Sequence, residues 1–341
     1  MPWLPLGDWP TPITPIEALG RTLWVKREGD SAASYGGNKI RTLEAWLGHA
    51  RARGAKRIWA IGAYGSNHAV ATIVHARAAG LDAGAIVFPQ PRSEWAFENA
   101  GAIVAAGCPI VRLRSFVEVP FAGVAIAARE RDSIVMPPGG ATPLGAFGAL
   151  SAAFEVAEQV AAGVAPPPRR IVLPVGSTCT TAGLLAGFFV ARAIGAWRWP
   201  LPIVHAVRVT PWPVTSRSSI VALAARTLAR VRALGGSKVG AVGATLGELS
   251  ARLAIDGREL GRGYGRSTPR SRAAIVTIVG GDSPRLDGVY SAKAAASLLR
   301  LHRAGVGPLL FWATKSTARM APPTPAALAA APAALARWLA S

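Results

Sequence analysis

Tyr35-Gly36-Gly37-Asn38-Lys39-Ile40-Arg41-Thr42-Leu43-Glu44 joins a turn to a helix. Two glycines permit a tight turn, Asn38 is placed to cap, and the apolar spacing from Ile40 onward is helical. Lys39 then falls in the first helical turn, where free amides and the positive end of the helix dipole disfavour an ammonium. A part-buried lysine there is shifted toward the neutral amine that Schiff-base chemistry needs. The alternative is an exposed lysine at a helix start.

Outward from this segment, short aliphatic runs alternate with Ala- and Arg-rich helical runs. Strands are expected over Leu23–Lys26, Arg57–Ile61, Ala83–Phe88, Ile110–Leu113, Arg170–Pro174, Ile203–Val209 and Leu309–Trp312. Helices are expected over Asn38–Arg53, Asn67–Ala79, Pro91–Ala106, Val119–Arg131, Leu144–Gly163, Thr181–Ile194, Ser216–Leu234, Ser291–Ala304 and Ala326–Ala340. The alternation implies βαβ units, an α/β class and mainly parallel sheets flanked by helices. Such sheets bind ligands beyond the carboxyl ends of their strands. Gly163-Val164-Ala165-Pro166-Pro167-Pro168 reads as a stiff connector before a new strand.

Two further junctions carry candidate ligands. Ile61-Gly62-Ala63-Tyr64-Gly65-Ser66-Asn67-His68 runs from a strand through a loop into a helix. Ser66 and Asn67 fall at the helix start, where they could face a bound anion or ring oxygen, or serve as plain N-caps. Ile171-Val172-Leu173-Pro174-Val175-Gly176-Ser177-Thr178-Cys179-Thr180-Thr181-Ala182-Gly183 ends an aliphatic strand in hydroxyl residues that open a helix. This is a phosphate cradle or a capped turn; it is not a Walker loop, because no Gly-Lys-Ser/Thr follows. His49, His68, His75, His205 and His302 show no metal-ligand spacing, so no metal is expected. His68 and His75 read as structural. Gly261-x-Gly263-x-Gly265 is a weak nucleotide-loop pattern without a clear preceding strand.

The 341 residues, 51% of them hydrophobic, suffice for a sizeable core in two domains. The formal charge of +20 raises the question of nucleic acid. However, only six of the 38 basic residues are lysines, and the arginines are scattered through helical segments rather than clustered. The charge therefore reads as compositional bias, and no nucleic-acid partner is expected. Two cysteines, Cys108 and Cys179, make no disulfide framework and suggest a reducing, cytoplasmic setting. The opening MPWLPLGDWPTP lacks a signal-peptide pattern, and no apolar run is long enough for a membrane span.

Together these strings resemble the D-cysteine desulfhydrase / 1-aminocyclopropane-1-carboxylate (ACC) deaminase family of fold type II pyridoxal-phosphate (PLP) enzymes, nearly end to end. Pro10-Thr11-Pro12-Ile13 with Leu23-Trp24-Val25-Lys26-Arg27-Glu28 is similar to its opening, GGNKIRTLE to its PLP-lysine segment and GSNH to its Ser-Asn loop. Pro137-Pro138-Gly139-Gly140-Ala141-Thr142-Pro143-Leu144-Gly145-Ala146 resembles its IPxGGxxPLGA stretch. Gly263-Tyr264-Gly265 and Asp287-Gly288-Val289-Tyr290-Ser291-Ala292-Lys293 resemble its tyrosine segments, and Leu310-Phe311-Trp312-Ala313-Thr314 its final strand.

The resemblance implies a tryptophan-synthase-β-like two-domain fold. Residues 1–48 and 162–341 would form the large PLP-binding domain and residues 49–161 the small one, in a homodimer acting on a small amino acid. It implies that Lys39 holds PLP as a Schiff base and exchanges protons at the substrate, and that Asn67 bonds the ring oxygen. Ser66 would contact the substrate carboxylate or assist proton transfer, and Gly176, Ser177, Thr178, Cys179, Thr180 and Thr181 would hold the phosphate. Tyr264 and Tyr290 would flank the substrate, and Thr314 would meet the pyridine nitrogen.

Several positions depart from the family pattern. Thr178 and Cys179 stand where the phosphate loop has glycines, Gly65 replaces a glutamine, and Lys315 follows Thr314, where an ammonium would oppose pyridine protonation. Ser291 occupies the position of the ACC deaminases' glutamate. A hydroxyl supports the electron sink less than a carboxylate does, which favours β-elimination from a D-cysteine-like substrate over cyclopropane opening. The alternatives are ACC deamination and a degenerate PLP-binding paralogue without turnover.

Overall fold

The computed structural model describes residues 1–19, 23–235, 242–278 and 283–341. In chain order its first half contains β1 (Ile13–Pro15), β2 (Trp24–Arg27), α1 (Lys39–Ala52), β3 (Arg57–Ala63), α2 (Asn67–Ala78), β4 (Asp82–Phe88), α3 (Glu94–Ala105), β5 (Ile110–Arg112), α4 (Val119–Arg129), β6 (Ser133–Met136) and α5 (Pro143–Ala161). Then follow β7 (Arg170–Val175), α6 (Cys179–Ala193), β8 (Ile203–Arg208), α7 (Arg217–Gly235), α8 (Leu246–Ala251), β9 (Leu253–Asp256), α9 (Pro269–Ile278), α10 (Ser291–Arg303), β10 (Leu309–Ala313), α11 (Pro325–Ala330) and α12 (Ala333–Ala340). Short 3₁₀ turns punctuate the loops.

The strands form two sheets. One is ordered β1-β2-β10-β7-β8-β9 and the other β5-β4-β3-β6. Every pairing is parallel except β1 with β2. The expected α/β class with mainly parallel, helix-flanked sheets is therefore what forms. The central strands are continuous apolar runs because helices cover both faces: six of seven residues of β3 and five of six of β7 are buried.

The strands not anticipated, β1, β6 and β9, are all sheet edges of three or four residues. With one neighbour each they need no long apolar run, so their pattern is weak. The expected tail helix is two helices, α11 and α12. Ala331 is extended (ψ 155°) because Pro332 follows it, and a residue before proline is pushed out of the helical region. Among the described residues no helix is long and apolar enough to cross a membrane.

A buried ion network seats α1. The Arg41 guanidinium bonds both oxygens of Glu28 (2.7 and 2.8 Å) and both of Glu155 (2.6 and 2.8 Å). It also lies 3.7 Å from the centroid of the Trp9 ring. Lys26 completes the set, bonding Glu155 (2.9 Å), Gln159 (2.8 Å) and the Thr11 carbonyl (2.7 Å). Burial alone would raise the Glu155 carboxyl; hydrogen bonds from Arg41 and the nearby Lys26 bring it below its ordinary range. One turn further on, Glu44 accepts from the Leu6 amide (3.0 Å), the Gly7 amide (3.3 Å) and Trp9 Nε1 (2.7 Å), pinning the N-terminal segment against α1. Both charged positions of the RTLE string thus build structure.

Removing one partner of such a network strands the other charges in the interior, at a cost of about 3–5 kcal/mol. Arg41→Met is therefore expected to lower stability by that amount in urea unfolding at neutral pH. A loss under about 1 kcal/mol would refute the role given to this network.

Candidate active site

The loops leaving β3, β4, β7, β8 and β10 at their carboxyl ends converge on one cavity of about 470 Å³ between the two sheets. Lys39, Ser66, Asn67, Gly176, Ser177, Thr178, Cys179, Thr180, Thr181, Tyr264, Tyr290 and Thr314 all line it. Residues spread over 276 positions of sequence are thus brought together at the place where parallel sheets bind ligands.

Lys39 is the first residue of α1. Burial holds its ammonium below the ordinary lysine range, only partly offset by Cys179. Asn38 precedes it, but its side chain does not cap α1; its amide donates instead to Thr180 Oγ1 (2.8 Å), tying the start of α1 to the start of α6. Gly139 (φ 64°) lets a third loop close over this junction. A Cβ there would lie 2.1 Å from Ser177 Oγ and 3.7 Å from Lys39 Nζ.

The turn before α6 departs from a glycine loop in a legible way. Thr178 adopts the left-handed conformation (φ 70°) that glycine adopts freely and that costs a β-branched residue about 1–2 kcal/mol. The Cys179 thiol turns toward the Gly140 carbonyl (3.6 Å) and Thr42 Oγ1 (3.8 Å). The first-turn amides of α6, beyond reach of any helical carbonyl, stay available with the hydroxyls of Ser177, Thr180 and Thr181. This donor set fits a phosphate, and the lysine on the same cavity fits its aldehyde.

Asn67 is held from behind. Its Oδ1 accepts from Tyr35 Oη (2.9 Å), Asn99 Nδ2 (2.9 Å) and Lys315 Nζ (3.1 Å). With the oxygen so engaged, the amide nitrogen is the group left for the cavity. Asn99 Oδ1 accepts a second bond from Lys315 (3.3 Å), whose ammonium sits 5.6 Å from the Tyr35 ring centroid. Lys315 is 2% exposed and does not line the cavity. The expectation that its ammonium opposes a ligand beside Thr314 is corrected: it braces Asn67. The bracing role of Tyr35, Asn99 and Lys315 gave no sequence signal, because each gains it only from residues far along the chain. Gly65 is also explained: a Cβ there would lie 2.4 Å from Ala96 Cα, so α3, which carries Asn99, could not pack as closely.

Ser66 caps α2 by accepting from the Ala69 amide (3.2 Å), which leaves its O–H free to donate into the cavity it lines. Tyr264 and Tyr290 bond to each other through their hydroxyls (2.8 Å), and burial pushes the Tyr264 phenol up to about 12. Asp287 fixes Tyr290 by accepting from its amide (2.7 Å) and the Val289 amide (2.9 Å). Asp287 also binds the Ser291 hydroxyl (2.9 Å), so Ser291 is engaged at the start of α10 and does not line the cavity. Beneath the Gly261–Gly265 loop, Lys293 Nζ donates to the carbonyls of Leu260 (2.9 Å) and Gly263 (3.3 Å), steadying Tyr264. Burial lowers Lys293 to about 8, against Glu259 and Asp287.

His75 is structural, as expected, with Nε2 against the Tyr35 carbonyl (2.9 Å). His68 differs: it lines the cavity, and neither ring nitrogen has a partner among the described residues. Burial, reinforced by the positive charge of Lys39, lowers its pKa to about 3. Because the unfolded state protonates first, near 6.5, stability present above that pH is lost as pH falls toward 3. Urea titrations should show wild type losing about 1 kcal/mol more per pH unit below 6 than His68→Gln does. Equal slopes would exclude a neutral His68.

Known proteins give a concordant picture. The pyridoxal-phosphate-dependent enzyme family profile matches residues 4–307. Nocardicin C-9' epimerase of Nocardia uniformis subsp. tsuyamanensis is 32% identical over 325 residues, covering 93% of both chains. D-Cysteine desulfhydrase of Salmonella paratyphi C is 27% identical over 317 residues, covering 87% of this chain and 88% of its own. A crystal structure of an ACC deaminase homologue superposes with a TM-score of 0.75 at 27% identity, over 92% of this chain and 91% of the other. With that profile across most of its length, and a lysine and a donor-rich turn opening on one cavity, the chain belongs to the family of pyridoxal-phosphate-dependent enzymes.

Proposed function

We propose that the protein is a PLP-dependent lyase that eliminates a β-substituent from a small amino acid in the manner of a D-cysteine desulfhydrase, giving a 2-oxo acid and ammonia. The observation that carries this reading is that the Lys39 amine and the Gly176–Thr181 turn line the same cavity. PLP, when bound, supplies an electron sink for charge developing at the substrate Cα. The rest is the work of this chain's residues. Lys39, its neutral form favoured by burial, is the group to bond the aldehyde and carry the Cα proton. Ser177, Thr178, Cys179, Thr180 and Thr181 offer hydroxyls and amides to the phosphate. The Asn67 amide would donate to the ring oxygen and Thr314 would meet the ring nitrogen. Ser66 would donate to the substrate carboxylate, and Tyr264 and Tyr290 would flank the substrate.

The choice of elimination over ACC deamination rests on the ring nitrogen's neighbourhood. Asp287 spends its carboxylate on the amides and hydroxyl of the Val289–Ser291 turn, and Ser291 spends its hydroxyl on Asp287. Thr314, which lines the cavity, would be the residue at the ring nitrogen, and a hydroxyl supports less charge delocalisation than a carboxylate. Releasing sulfide demands less of the sink than opening a cyclopropane.

A second reading is favoured by the 32% identity to an epimerase over nearly the full length. Epimerisation needs a second proton carrier besides Lys39, and the Ser66 hydroxyl on the same cavity is the candidate. The same assembly is inferred to be a cytoplasmic homodimer, its large domain (1–48 and 162–341) and small domain (49–161) each built on one sheet.

Purified protein should carry a visible cofactor band that Lys39→Ala abolishes. It should also release pyruvate from D-cysteine. Deuterium uptake at Cα without 2-oxo acid release would replace elimination by epimerisation, and bound cofactor with neither outcome would indicate a paralogue without turnover. Lys315→Met should weaken PLP affinity about 5- to 10-fold by freeing the Asn67 amide to rotate. Titration of tryptophan fluorescence measures this, and an unchanged affinity would deny Lys315 its bracing role.

A further inference from the structure

Besides the polar groups assigned above, the cavity is lined by a set of apolar side chains. They are Phe88, which ends β4, Pro89 after it, Phe116 in the turn before α4, Pro211 and Val214 beyond β8, and Ile61 of β3. Phe88 and Phe116 meet edge to face, with ring centroids 5.3 Å apart at 75°, so they form a paired aromatic surface rather than two free side chains. Phe116 nevertheless remains 45% exposed. A substrate whose β-substituent is a bare thiol puts nothing against this pair and leaves aromatic surface in water.

We propose that this aromatic surface is a subsite for an apolar, preferably aryl, group on the departing sulfur, which makes the substrate class S-substituted cysteines. This deepens, and rests on, the elimination reading. The reaction balances as R–S–CH₂–CH(NH₃⁺)–COO⁻ plus water giving R–SH, pyruvate and ammonium. The Cα–H and Cβ–S bonds break, sulfur leaves with its bonding pair and is protonated, and water replaces nitrogen at Cα. No oxidant or reductant is required. The R group extends from Cβ away from the carboxylate and amine that the polar groups would engage, and Phe88 with Phe116 is the aromatic surface the same cavity offers it. Arg114, which lines the same cavity, is compatible because a guanidinium stacks readily on an aryl ring.

The test separates binding from turnover. Homophenylalanine is S-phenylcysteine with CH₂ in place of sulfur, so it binds without a leaving group; 2-aminobutyrate is the same molecule without its phenyl. Calorimetry on the PLP-loaded protein, with both as racemates, should show homophenylalanine bound about 10- to 100-fold more tightly, the value of burying one phenyl group. Phe88→Ala and Phe116→Ala should each shrink that ratio about 5-fold or more. Equal affinities, or a ratio unmoved by both variants, overturn the proposal. In the turnover arm, S-phenylcysteine should release thiophenol and pyruvate in equal amounts. If cysteine yields pyruvate while homophenylalanine shows no preference, the subsite falls and the lyase reading stands. If homophenylalanine is preferred but neither sulfur amino acid yields pyruvate, the lyase reading falls and the apolar subsite survives it.

Discussion

The double fork of Arg41 onto Glu28 and Glu155 is the constraint from which the site follows. Helix α1 carries Lys39 at its first residue and Arg41 two residues later, so whatever fixes the guanidinium fixes the amine. The two carboxylates come from opposite directions: Glu28 follows β2 and Glu155 lies on α5. One planar cation therefore joins the start of the chain, the lysine helix and the helix that packs on α6. Lysine could not replace it, because an ammonium cannot bond two carboxylates bidentately. Burial of the Arg41–Glu28 pair makes the fork's geometry costly to leave, and the immobility passes to a lysine that itself has no hydrogen-bond partner among the described residues.

The cavity has a consistent electrostatic logic. At Asn67, Ser66 and Asp287 the protein consumes the acceptors that would otherwise face it. Asn67 Oδ1 takes three donors, Ser66 Oγ takes the Ala69 amide and the Asp287 carboxylate is filled by its own turn. What remains facing inward is N–H and O–H, together with the first-turn amides of α6. Such a cavity prefers an anionic ligand before any specific contact is counted. Lys315 contributes in the same way. As a buried cation it could have been a liability, yet two amide oxygens and the Tyr35 ring hold it behind Asn67, where it fixes the orientation of that amide.

This logic also shows why part of the site was legible in the sequence and part was not. Lys39, Ser66, Asn67 and the Ser177–Thr181 run could be read because each sits where a strand or turn enters a helix, a junction whose chemistry is local. The central strands were legible for the same reason: a doubly covered strand is a continuous apolar run. Edge strands β1, β6 and β9 were not, since half their environment is solvent. The bracing role of Tyr35, Asn99 and Lys315 was invisible because it is a contact between positions up to 280 residues apart. Lys315 was misjudged because sequence adjacency to Thr314 says nothing of direction: at the end of a strand, successive side chains point to opposite faces.

Thr178 is where local and global demands conflict. Its backbone is left-handed, which a β-branched residue resists, and the conformation persists because neighbours determine it from several sides. The Ala182 amide returns to its carbonyl (2.9 Å), Asn38 grips the adjacent Thr180 (2.8 Å), and the Cys179 thiol is packed between Gly140 and Thr42. These contacts tie the turn to α6 itself, to α1 through Asn38 and Thr42, and to the Gly140 turn before α5. A glycine would adopt the turn without strain but would widen the conformations open to the loop before anything binds. A strained threonine clamped from three elements keeps the amides of the α6 first turn converged in advance. Rigidity here thus replaces the flexibility a glycine loop would have had, and the side-chain hydroxyl remains as a further donor at the same point.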